Sequence, residues 1–148
     1  MVQITLDYDD ILNEVYSRSA IHVSYNPSAP LLTVDNARLL EQRIGDAVKE
    51  FTAALSGYVA FVNINPNSDG DNIYIVLALQ QGLSVPRGVA SAISDVTVKA
   101  LSSRVLSAVY EPEGNGLYTA TWRAATAQVA VMLARVERGV AVDAYSLV

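Results

Sequence analysis

Apolar positions recur at helical spacing in four stretches of this chain, and at strand spacing between the second stretch and the third. Residues 2–6, VQITL, alternate weakly and predict a short extended lead-in. From Asp7 the period becomes helical. Tyr8, Ile11, Leu12, Val15, Tyr16 and Ser19 share one face, while Asp9, Asn13, Glu14 and Arg18 lie on the other. Asp7, Asp9 and Asp10 fall in the first turn, where free backbone N–H groups and the positive end of the helix dipole favour carboxylates. The segment NPSAP, residues 26–30, stops that helix, because proline donates no N–H and holds its predecessor extended.

A second helix starts near Thr33 or Asp35, both suitable N-caps. It carries Leu40, Ile44, Ala47, Val48, Phe51 and Leu55 at spacings of three and four, and Gly57 is its natural stop. The residues then turn β-branched and aromatic. YVAFVNIN (58–65) and NIYIVLALQ (72–80), separated by the turn formers PNSDGD, predict a β-hairpin. Its second strand is apolar on both sides, with Ile73, Ile75, Leu77 and Leu79 against Tyr74, Val76 and Ala78. An isolated ribbon of this kind would leave a greasy face and two open edges in water, so the chain's own helices or another subunit should cover it.

Pro86 suits the first turn of a third helix reaching about Tyr110, and EPEGNG (111–116) breaks it. A fourth helix from about Tyr118 to Arg138 puts Trp122, Ala125, Val129, Met132 and Val136 on one face. Ala124, Ala127, Val131 and Ala134 lie close beside them, an apolar arc wider than one core contact needs. The expected fold is mostly α: a four-helix core with an inserted β-hairpin (α+β), forming one domain over residues 1–138. Residues 139–148, GVAVDAYSLV, hold one charge and read as a C-terminal docking tail. No fixed-period repeat, low-complexity tract or sustained heptad seam is evident.

Composition narrows the function classes. With 148 residues, 51% hydrophobic and 17% charged, the chain is too apolar for intrinsic disorder and the right size for one core. The absence of cysteine excludes a disulfide scaffold, a thiol nucleophile and a Cys-ligated zinc site. The acidic start MVQITLDYDD lacks the pattern of an export signal, and no apolar run reads as a membrane span. Fifteen acidic against ten basic residues, net −5, disfavour a nucleic-acid-coating role. The cations are eight Arg and two Lys, a ratio that leans toward subunit interfaces, with lineage bias weighing equally.

Candidate chemistry is sparse. His22 is the sole histidine, with no partner proposed nearby in sequence, and reads as structural. One histidine cannot supply a two-imidazole metal site within a single chain. A calcium loop starting at Asp69 would need Gly at its sixth position and Glu at its twelfth, where Tyr74 and Gln80 stand. Gly114 and Gly116 lack the Lys-Ser/Thr of a phosphate-cradling loop. The carboxylate pairs Glu111/Glu113 and Asp9/Asp10 read as solvated or dipole-facing, and Trp122 as a core anchor. The expectation is a non-enzyme without catalytic residues, cofactor or metal.

The layout as a whole resembles the head-to-tail connector (adaptor, or neck) proteins of tailed bacteriophages and prophages. The resemblance is carried by ITLDYDDILNEVY, by LLTVDNARLLEQRIGDAVKEFTAALSGYV, and by a short β segment. The proline-led VPRGVASAISDVTVKALSSRVLSAVYE and the final TWRAATAQVAVMLARVERG complete it. It implies a virion structural subunit, made in the host cytoplasm, that forms a homo-oligomeric ring, typically of twelve, beneath the portal. Such a ring extends the DNA channel without reading sequence and docks a tail or second neck protein; no membrane is involved. The hydrophobic hairpin and the lack of a basic C-terminus depart from that pattern. The alternatives are another virion protein (tail-completion, tail-terminator or capsid-associated) and a small hydrolase or ligand-binding domain using His22.

Overall fold

The structure, a computed structural model, describes residues 3–66, 73–80 and 82–137. Strand β1 (Gln3–Asp7) runs directly into helix α1 (Tyr8–Tyr25), with the Asp7 carboxylate accepting the Asp9 N–H at 2.9 Å as N-cap. Helix α2 (Ala37–Ala54) is entered through a 3-10 turn at Val34–Asn36. Thr33 and Asn36 close a capping box there, so the start is one turn of tighter helix before the α-helix proper. The helix ends at Ala54, earlier than the Gly57 stop read from sequence, because the Leu55 N–H is shared by the carbonyls of Phe51 and Thr52 and the chain then turns. Strands β2 (Val59–Pro66) and β3 (Ile73–Leu79) form the expected hairpin. Helices α3 (Arg87–Tyr110) and α4 (Leu117–Glu137) follow. The mostly helical architecture with an inserted hairpin is the one the periodicity predicts. The expected tail, 139–148, and the Asp69–Asn72 turn lie outside the described residues.

The helices alternate in direction. Arg18 and Ser19 of α1 meet Ser103 and Tyr110 of α3, while Asp10 and Asp95 border one depression, so α1 and α3 run the same way. Glu50 meets Arg104 and Arg43 shares a cleft with Glu111, so α2 runs against α3; Ser107 meets Thr119 where α4 turns back. α3 occupies the middle. Ala100, Leu101, Ser102 and Ser103 are buried in succession, which on a helix means that all sides are covered. Its serines, polar in the sequence, are what let three neighbours come close.

The sheet closes the end of the bundle where α1 and α3 begin. Its order is β1-β3-β2, all antiparallel, with Ile4 opposite Leu77 and Leu6 opposite Ile75 on the buried side. The lead-in is therefore a third strand, which changes the expected two-stranded ribbon. β3 is central and has no open edge. Its outward Val76 lies between Thr5 of β1 and Asn63 of β2, both exposed, so polar side chains flank the apolar row at that position. Phe51, Leu101, Leu106, Ile44 and Ile75 are among the fully buried side chains joining sheet and helices in one core. Among the described residues Tyr8 carries a buried hydroxyl with no hydrogen-bond partner, and burial pushes its phenol far up.

Candidate functional site

Polar side chains gather at the end of the bundle opposite the sheet. The Leu32 N–H donates to Ser19 Oγ at 2.8 Å, Ser19 and Tyr110 hydroxyls meet at 2.6 Å, and Tyr110 donates to the Pro30 carbonyl at 2.6 Å. Tyr110 has one proton and gives it to Pro30, so Ser19 must donate to Tyr110. The relay is complete, and it fastens the proline-rich loop to α1 and α3.

His22 stands beside this relay. Its ring stacks on Tyr110 at a centroid distance of 4.0 Å and 18°, and Nδ1 meets the Tyr118 hydroxyl at 3.1 Å. The fold thus supplies partners that lie some ninety residues away and that sequence reading did not propose. They are phenols, not a nucleophile and carboxylate in relay: Ser19 Oγ is engaged by Leu32 and Tyr110, and burial holds the Tyr118 phenol up and protonated. His22 joins α1 to the start of α4.

Glu111 takes the dipole-facing role read for it, at a specific place. Its carboxylate accepts the N–H groups of Tyr118 and Thr119 at 3.1 and 2.8 Å and the Thr119 hydroxyl at 2.9 Å, capping α4 from across the turn. Ser107 donates in turn to Thr119. Burial pushes the Glu111 carboxyl up, but those hydrogen bonds, with His22 nearby, outweigh it and leave it below the ordinary carboxylate range. Gly116 allows this arrangement, since a Cβ there would fall onto the Glu111 carboxylate. Gly114, at φ +74, supplies the left-handed step that reverses the chain between α3 and α4.

Two charged depressions lie on either side of α3. One, about 480 Å³, is bordered by Arg43, Arg104, Arg123, Glu50 and Glu111. Arg104 grips Glu50 with two hydrogen bonds of 2.6 and 3.1 Å, a pairing that raises the guanidinium pKa further. The other, about 410 Å³, is bordered by Asp10, Asn13, Glu14, Ser17, Asp95 and Val98. Among the described residues no group of three or more His, Asp and Glu is placed to hold a metal ion.

The least expected feature is on α4. Leu117, Ala120, Ala124, Ala127 and Val131 follow one another at steps of three and four, and all five are exposed, Leu117 by 75% and Val131 by 45%. The buried side of the same helix carries Ala125, Val129, Met132 and Leu133 against α3, with Trp122 tilted onto Phe51 of α2 at 6.4 Å. The wide arc seen in the sequence therefore resolves into two faces, of which one is covered. The outer row spans two heptads, shorter than a sustained coiled-coil pattern but with the same geometry.

The chain matches no family model, no curated protein and no solved structure. No helix among the described residues is long and apolar enough to cross a membrane.

Proposed function

We propose that this chain is a structural subunit that works by packing against copies of itself within a larger assembly, and specifically that it forms a head-to-tail connector ring beneath a phage portal. The observation that carries the packing part is the outer face of α4. An uncharged row with coiled-coil spacing, from Leu117 to Val131, lies on a helix whose other face already fills the core, and it is a surface that suits a neighbouring subunit. The side-chain chemistry agrees: the histidine, serines and carboxylate that could form a site are each engaged in fastening helices and loops.

The connector assignment rests on the layout of four helices around a short β segment, as in the resemblance above. In that reading the ring continues the DNA channel, and a net charge of −5 suits a wall along which DNA slides without adhering. The portal above and a tail or second neck protein below are the partners. Imaging of the virion that carries this protein tests the assignment. A ring of density at the neck, into which the four-helix subunit fits, is the expected result; placement in the capsid shell, or absence from the particle, sinks it.

A further inference from the structure

The arginine cleft and the acidic depression sit on opposite sides of one helix. Asp95 and Arg104 are nine residues apart on α3, and at about 100° per residue that places their side chains about half a turn from each other. The charge differs between the two sides, mostly acidic around Asp95 and mixed around Arg104. Around Asp95 stand Asp10 and Glu14, with Asp7 and Asp9 close enough to act on Asp10. Around Arg104 stand Arg43 and Arg123.

Much of the opposing charge on the arginine side is already committed. Glu50 is held by Arg104, and Glu111 is spent on the N-terminus of α4. Asp46 remains beside Arg43 and Lys49. Arg43 and Arg123 are exposed and, among the described residues, have no ion pair. On the acidic side Arg18 takes Glu14 at 2.9 Å, Asp7 caps α1, and Lys99 lies one turn from Asp95, which leaves Asp9 and Asp10 without an ion pair among the described residues. Burial first, and then the like charges of Asp7, Asp9 and Asp95, raise the Asp10 carboxyl.

We infer that the arginine-lined cleft between α2 and α4 of one copy receives the acidic α1–α3 face of a second copy, with Arg43 and Arg123 reaching the carboxylates of Asp10 and Asp95. This rests on the subunit reading above and supplies its contact. Because the two faces lie on opposite sides, a two-fold pair cannot satisfy both at once; the contact is head-to-tail and repeats, closing as a ring or climbing as a filament. Arg104 also lies about 13 Å further along α3 than Asp95. A flat ring built on this contact therefore holds α3 tilted from the ring axis.

Charge reversal on the full chain tests it. Arg43→Glu with Arg123→Glu gives a molecule with two acidic sides; Asp10→Lys with Asp95→Lys gives one with two basic sides. All four positions are exposed, and circular dichroism checks that each protein folds. Sedimentation at low salt should show the wild-type chain associating, each reversed protein associating at least about tenfold more weakly, and an equimolar mixture of the two regaining association. Reversed proteins that associate like wild type overturn the pairing, as does a mixture that stays apart, or a wild-type chain that remains monomeric at low salt and millimolar concentration. The connector reading is judged separately by the position of the density in the virion.

Discussion

The inner and outer faces of α4 are made of nearly the same residues and are treated oppositely by the fold. Ala125, Val129, Met132 and Leu133 are buried against α3, whereas Ala124, Ala127 and Val131, one position to the side of them, meet solvent. Exposed alanines favour the helix itself, but they bury nothing in the isolated chain. The inner face sets the stability of the fold, and under the proposed subunit role the outer one carries association. Substitutions can separate the two roles.

The inner face should give the largest effect. Leu133→Ala removes a fully buried side chain and leaves a hole between α4 and α3, which costs about 2–5 kcal/mol in a chemical denaturation experiment. Ser19→Ala comes next, at about 1–3 kcal/mol, because the buried Leu32 N–H loses its acceptor and the relay to Tyr110 is cut. A result within a few tenths of zero would mean that the loop at residues 26–32 finds another way to satisfy that N–H. Gly116→Ala pushes Glu111 off the N-terminus of α4 and should lose about 1–2 kcal/mol, in the range of a deleted cap.

The Glu111 cap also predicts a pH signature. Its carboxyl titrates lower in the folded chain than the ordinary value of 4.5, so its contribution is complete above that value and disappears as pH falls through the lower folded pKa. Glu111→Gln lacks this contribution at every pH. The gap in thermal midpoint between wild type and variant should therefore be steady at neutral pH and close below pH 4.5; a gap that persists at pH 2 shows that the carboxylate charge is not what caps the helix. The carboxylate is only partly buried, so solvent screening keeps the gap small.

Local patterns were readable from the sequence and distant ones were not. Leu40, Ile44, Ala47, Val48 and Phe51 recur at helical spacing, and all five are buried as the spacing requires. Asp7 is read as a cap because cap and helix adjoin. The lead-in strand, by contrast, pairs Ile4 with Leu77, and nothing local announces a partner more than seventy residues away. Ser19 and Tyr110, or His22 and Tyr118, meet for the same reason only in the folded chain. Glu111 reads as solvated or dipole-facing and takes the second role, but its partners at Tyr118 and Thr119 lie several residues ahead across a turn, where cap rules look one to three residues ahead. The row from Leu117 to Val131 was present in the sequence at its spacing of three and four, but it merged with the core face. The arc of apolar residues continues around the helix, and only the position of α3 divides it.

The smallest effect on the isolated subunit should come from the outer face, and that smallness is the point of the experiment. Val131→Lys places a charge where a 45%-exposed side chain stood, so unfolding should shift by no more than about 0.5 kcal/mol. If the outer row is a subunit contact as proposed, the same change in the particle puts an ammonium against the neighbour, where desolvating it without a partner is costly. Incorporation of the variant into particles, measured against wild type in mixed expression, should fall about tenfold or more. Equal incorporation would show that the outer row faces solvent in the assembly too, and the association would then have to be carried by the charged sides of α3 alone.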